Sequence, residues 1–202
     1  MQETMHALAP ALNRREILKA GLVGFLGVLP IGYFAAPARA DGFNLPKDGP
    51  YSISFVNQHT GESFSGVYRV GGKYLPEAFD KINVVLRDFR TGDVFPIDPR
   101  VIDIIYAVHQ RSSAKKPFEV LSGYRSPQTN SMLRRTHAGV AVNSLHLTGQ
   151  AIDVRLPDIR ISRLRDAAQK LQAGGVGYYP VSNFVHMDTG EVRHWTQDPN
   201  NT

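Results

Sequence analysis

The sequence contains no cysteine, so disulfides play no part in its stability and a metal site has only histidine and carboxylate to draw on. Cys-rich structural zinc is excluded. Charge of one sign is also in short supply, with 23 Lys and Arg against 18 Asp and Glu, a formal net charge of +5. Residues 1 to 40 hold four of those basic and two of those acidic residues, which leaves 19 against 16, or +3, in the remainder. So small a surplus gives no reason to expect a nucleic-acid partner. Internal repeats and low-complexity tracts are absent as well.

The longest apolar run, Ala20 to about Ala36, is broken by glycines and by Pro30. It follows the basic stretch Asn13-Arg14-Arg15-Glu16-Ile17-Leu18-Lys19 and leads into Ala38-Arg39-Ala40. A positive start, a modest apolar middle and a small-x-small end describe a secretory signal, and Arg14-Arg15 resembles a twin-arginine export signal. Cleavage after Ala40 is expected, so no lasting membrane span remains; an uncleaved anchor is the alternative. Both readings place the folded part outside the cytoplasm, in the periplasm, after delivery by the twin-arginine export machinery. Residues 41–202 suffice for one domain with a real core.

Within that domain, Tyr51 to Val56 and Ser63 to Val70 alternate apolar and polar residues around a His59-Thr60-Gly61-Glu62 turn, which predicts an antiparallel hairpin. Pro76 to about Phe89 has apolar residues at helical spacing, and Asp98-Pro99 opens a second helix through Ala107 with Val101, Ile102, Ile105 and Val108 on its core face. A strand over Phe118 to Leu121, polar loop over 126–144 with a helical turn near Asn130 to Arg135, a strand over Ala151 to Leu156, a helix over Ser162 to Gln172 and a strand over Phe184 to Asp188 follow. This order predicts an α+β fold, with helices packed on one side of a largely antiparallel sheet.

Three segments carry unusual residues: Ser144-Leu-His146-Leu-Thr-Gly149-Gln-Ala-Ile-Asp153, Phe184-Val-His186-Met-Asp188, and Gly123-Tyr124-Arg125. Alternation puts Ala151, Asp153 and Arg155 on the strand face opposite Ile152, Val154 and Leu156, and puts Phe184, His186 and Asp188 on one face of the last strand. If the two strands pair, Asp153 and His186 share a face, and His146 reaches it from the turn before Gly149. Two imidazoles and a carboxylate with an open fourth position suit catalytic zinc. Spacing alone leaves the bland alternative open, in which the histidines are ordinary half-buried residues and Asp153 serves a turn or an ion pair.

The pattern Ser144-x-His146-x-x-Gly149-x-Ala151-x-Asp153 resembles the signature of M15-type zinc D-Ala-D-Ala peptidases, with a later histidine as third ligand. Together with Ser122-Gly-Tyr-Arg-Ser-Pro127, Gly174-Gly-Val-Gly-Tyr-Tyr-Pro180 and Phe184-Val-His-Met-Asp-Thr-Gly190, the chain is similar to the YcbK-like branch of that family from about Pro76 to Trp195. The resemblance implies a Hedgehog/DD-peptidase-like fold and zinc on His146, Asp153 and His186. It further implies hydrolysis of peptidoglycan stem peptides, with cross-link cleavage favoured over trimming of a terminal residue. Arg125 is then a substrate clamp or an oxyanion donor, or else a structural ion pair. Ser144 either positions substrate or closes a turn, and Tyr178, Tyr179 and Trp195 either line a cleft or complete the core.

The chain departs from the pattern in one respect. Many relatives carry a glutamate general base three residues before the last zinc histidine, where this chain has Asn183; others carry a histidine two residues before it, at Phe184. Asp188 is the nearest candidate base, and its alternative role is to orient a ligand histidine. Glu191, His137 and His194 are weaker candidates. The missing glutamate motivates a second reading, a zinc-containing wall-binding or scaffold protein that has lost hydrolysis.

Overall fold

The computed structural model describes residues 43–46, 48–137 and 139–197; the export signal expected over 1–40 lies outside them. Strands β1 (Pro50–Asn57) and β2 (Ser63–Val70) form the expected antiparallel hairpin, which β3 (Lys73–Tyr74) extends. Helix α1 (Pro76–Val85) begins with proline in its first turn and buries Ala78, Ile82 and Val85. It stops short of Phe89 because the chain folds into a turn there, with Gly92 N–H donating to the Asp88 carbonyl at 2.7 Å. Helix α2 (Pro99–Ser112) is capped by the Asp98 carboxylate, which accepts from Arg100 N–H, and runs past Ala107 to a left-handed Ser113.

After β4 (Phe118–Ser122), the stretch expected to be loop is a full helix, α3 (Pro127–Thr136). Ser126 caps it by accepting from Thr129 N–H at 3.1 Å, and Pro127 suits its first turn. Its buried residues are Thr129 and Asn130, so it carries no apolar stripe from which its period could be read. A 3-10 turn (Leu145–Thr148) then leads into β5 (Ala151–Arg155), α4 (Ile161–Leu171), β6 (Gly175–Tyr179) and β7 (Phe184–Asp188). A last strand that the sequence pattern did not announce, β8 (Arg193–Thr196), pairs with β6.

Among the described residues the eight strands belong to one sheet in the order β3-β2-β1-β4-β5-β7-β6-β8. Two pairings are parallel, β1 with β4 and β6 with β8; the other five are antiparallel, which makes the sheet mixed but largely antiparallel. Helices α2 and α4 pack on one face, where Ile102, Ile105, Val108 and Leu164 meet Val120, Ile152, Val154, Val185 and Met187. A one-residue slip of β5 would exchange Ile152 and Val154 for Asp153 and Arg155. Each fully buried aliphatic side chain is worth about 1.5–3 kcal/mol, so the core locks this register. The register in turn decides what stands on the opposite face.

Candidate active site

On that open face β5 and β7 pair so that Asp153 stands directly opposite His186, and Gly177 of β6 flanks His186 on its other side. Gly177 leaves the space a side chain would take, and the Trp195 indole of β8 fills it; a Cβ there would come within 2.7 Å of the indole nitrogen. The ring then lies 5.2 Å from the His186 imidazole, centroid to centroid. His146 arrives from the 3-10 turn. Ser144 caps this turn by accepting from His146 N–H at 3.4 Å, and Gly149 ends it at φ +67°, a left-handed conformation that also lets Pro96 and Ile97 pack against it.

The three side chains converge. His146 Nε2 and His186 Nδ1 each lie close to Asp153 Oδ1, at 3.2 and 2.8 Å, and 3.2 Å from each other. All three residues are buried, and their ligand atoms fall within 4.8 Å of one another, a group able to hold a metal ion. The outer nitrogens are committed elsewhere. His146 Nδ1 lies 2.7 Å from the Gly123 carbonyl oxygen, an acceptor only, so this nitrogen carries the proton and Nε2 presents its lone pair. His186 Nε2 lies 2.9 Å from Asp188 Oδ2. Each imidazole is thus oriented from behind, as ligating histidines commonly are.

Burial and the nearby Arg125 charge hold His146 below the usual histidine value, so it stays neutral, although Asp153 pulls the other way. Burial also opposes a charged His186, but hydrogen bonds to Asp153 and Asp188 outweigh it and push the imidazole up to about 9. Burial would raise Asp153, yet its histidine partners hold it well below the usual carboxylate range. His186 Nδ1 therefore faces two acceptors, Asp153 Oδ1 and His146 Nε2.

Asp188 is 1% exposed, and both its oxygens are engaged. Oδ1 accepts from Gly175 N–H, Gly190 N–H and Arg193 Nη1, and Oδ2 faces His186 and accepts from Arg193 Nη2 at 2.7 Å. Of the two roles open to it, orienting a histidine fits this geometry, whereas a base needs a free lone pair turned toward substrate. Arg193, which sequence reasoning missed, supplies the two-pronged support; it belongs to the unannounced β8, and nothing in its spacing marks it.

These residues floor a cleft of about 700 Å³. Arg125 lines it, with Nη2 at 3.4 Å from both Ser122 Oγ and Asp153 Oδ2, distances long enough to leave the guanidinium available; its Nε is buried without a hydrogen-bond partner. Arg90 and Arg193 line the cleft too, and the only cleft carboxylates among the described residues are Asp153 and Asp188. Ser144 and His137 reach the wall, whereas exposed Glu191 and His194 do not.

The substrate-facing role expected of Tyr178 is corrected by the register. Tyr178 pairs with Val185, so it points to the helix side, where its ring packs on the core under the Arg165 guanidinium. Tyr179 takes its place in the cleft, stacked on Phe184 at 4.3 Å. Asn183 sits in the β6–β7 turn at φ +56° and lines a separate depression beside Glu119 and Arg155. Asn183, where the resemblance led a glutamate base to be expected, is therefore turned away from the cleft.

A His-Asp-His group on the open face of an α+β sheet, oriented by outer hydrogen bonds and floored into a cationic cleft, defines the class as a metallopeptidase-type hydrolase. The chain belongs to the M15 peptidase family described as peptidoglycan L,D-endopeptidase MepK, whose model matches residues 46–195. It is 41% identical over 184 residues to the peptidoglycan L,D-endopeptidase MepK of Escherichia coli K12, a match covering 91% of this chain and 97% of that protein. The probable peptidoglycan L,D-endopeptidase MepK of Haemophilus influenzae is 37% identical over 185 residues, covering 91% and 95%. The crystal structure of the Serratia marcescens L-Ala D-Glu endopeptidase ChiX aligns with 38% of this chain and 62% of its own at a TM-score of 0.31 and 23% identity.

Proposed function

We propose that this chain is a zinc-dependent peptidoglycan endopeptidase that cleaves L,D amide bonds in cross-linked stem peptides outside the cytoplasm. The observation that carries this reading is the oriented His146, Asp153 and His186 group, found in a chain that is 41% identical to MepK over nearly its whole length. Nitrogen and carboxylate donors with no thiolate suit zinc, and three protein ligands leave a position open for chemistry. Residues 1–40 act in this reading as the export signal. Among the described residues no helix is long and apolar enough to cross a membrane.

His146 Nε2, Asp153 Oδ1 and His186 Nδ1 would hold the ion, which supplies Lewis acidity toward water and the scissile carbonyl when bound. Asp188 and the Gly123 carbonyl keep the two imidazoles aimed. His186 would offer Nδ1 to the ion as a lone pair, while Asp188, held by Arg193, keeps its hold on Nε2. Arg125 turns its free donors toward the carbonyl oxygen as charge builds there. Arg90 and Arg125 along the walls attract the carboxylates of an anionic stem peptide. Net hydrolysis adds one water across the amide, the hydroxyl going to the carbonyl carbon and the proton to the departing amine.

The test is a digestion of purified cross-linked muropeptides by zinc-loaded protein, read by mass. The expected result is two fragments whose masses sum to the substrate plus one water, from L,D-linked but not D,D-linked dimers. His146→Ala should yield no fragments and retain no zinc while its circular dichroism is unchanged. A zinc-loaded wild type that leaves both dimers intact would overturn the reading and favour the scaffold alternative.

A further inference from the structure

The cleft holds a donor that the chemistry described so far does not use. Tyr179 stands on the same sheet face as His186, two residue pairs along the β6–β7 ladder from the Gly177 and His186 pair. Its ring is fixed on both sides: it stacks on Phe184 with 14° between planes, and its hydroxyl oxygen accepts from Trp195 Nε1 at 2.9 Å. Indole N–H donates only, so this bond consumes a lone pair of the phenol and leaves the phenolic proton free. Among the described residues no acceptor takes that proton. Burial raises the phenol above its ordinary value, so the proton is retained at neutral pH; Asp153 and Arg125 lie close enough for their charges to act on it. Trp195 in turn packs against His186 in the space left by Gly177, which ties the position of the tyrosine to that of the candidate ligand.

Phe184 forms the stacking platform for Tyr179, and Asn183 lines a separate depression away from the cleft. We propose that Tyr179 is a catalytic residue that donates its phenolic hydrogen bond to the oxyanion formed at the attacked amide carbonyl, with Trp195 and Phe184 as its positioning residues. No proton is transferred in this role: the hydrogen bond strengthens as charge develops on the carbonyl oxygen and relaxes when the carbon–nitrogen bond breaks. The inference rests on the peptidase reading above and adds a second donor beside Arg125.

The experiment compares Tyr179→Phe, which removes the hydroxyl alone, with wild type on two readouts. On an L,D-linked dimer kcat should fall by about 10- to 1000-fold, the usual effect of losing one oxyanion donor, while KM stays within about twofold. Binding of a phosphinate peptide, whose tetrahedral anion mimics the oxyanion, should weaken by about tenfold or more, with binding of an uncleavable amide peptide unchanged. Trp195→Phe, which keeps a ring but removes the N–H, should show a smaller loss of the same kind. A kcat loss under threefold, or equal weakening of both peptide ligands, would overturn the assignment. If wild type cleaves no dimer the peptidase reading falls by itself, and the phosphinate comparison still decides whether Tyr179 reads a tetrahedral anion.

Discussion

Asp188 turns both carboxylate oxygens inward, toward His186, Arg193 and two backbone N–H groups. A group so enclosed acts on the metal site by holding an imidazole. Asp188→Asn should therefore weaken zinc binding by about 10- to 100-fold, as loss of such a partner commonly does, with the fold retained. Competition against a chelator measures it. Unchanged zinc affinity with a collapsed kcat at saturating zinc would instead make Asp188 a proton-transfer group. At this scale a strand's period of two assigned Asp153 and His186 to matching faces without tertiary information, whereas His146 was legible as their partner only through the resemblance to the M15 signature. Tyr178 and Tyr179 show the limit of that logic. Adjacent residues point opposite ways, and which of the pair meets the cleft depends on the β6–β7 register, which composition does not reveal.

Between elements, the Ser122-Gly123-Tyr124-Arg125 segment joins β4 to the site and is wedged against the end of α1. Tyr124 N–H donates to the Leu86 carbonyl at 2.8 Å, and a Cβ on Gly123 would meet that carbonyl and approach Leu86 Cβ to 2.8 Å. Because the Gly123 carbonyl also holds His146 Nδ1, displacement of this segment reaches the candidate ligand. Gly123→Ala should lower stability by about 1–3 kcal/mol through overpacking, seen as a lower urea midpoint, and should weaken zinc binding as well. A variant with wild-type midpoint and zinc affinity would show that the wedge relaxes freely. Hairpin β1–β2 and helices α1, α2 and α4 were legible because each buries one face. Helix α3 was not, since capping by Ser126 and Pro127 starts it without an apolar stripe, and β8 was missed because its residues are mostly exposed.

Across the molecule, Asp88 joins the turn after α1 to the start of α3, accepting from Arg90 N–H at 3.0 Å and Ser126 N–H at 2.8 Å. Burial alone would raise its carboxyl, but hydrogen bonds from Thr129 and Ser126 outweigh it and hold the group below the usual value. A carboxyl depressed in the folded state binds its proton more readily when unfolded. Its contribution is thus complete above the unfolded value near about 4 and drains away as pH falls toward the folded value. Urea midpoints should drop between pH 5 and 3, and Asp88→Asn should be less stable at pH 7 by about 1–3 kcal/mol with a shallower acid decline. An acid decline as steep in the variant would assign the effect to other carboxylates.

Taken by itself, the amino-acid sequence determined the α+β class, because local periodicity acts over short stretches of chain, and its ordered motifs pointed to the three candidate ligands. The tertiary structure decided what depends on long-range pairing: which tyrosine faces the cleft, that Asp188 is enclosed by Arg193 of β8, and that Asn183 points elsewhere. Those outcomes follow from strand register, and the register is set by how apolar side chains far apart in the chain pack beneath the sheet.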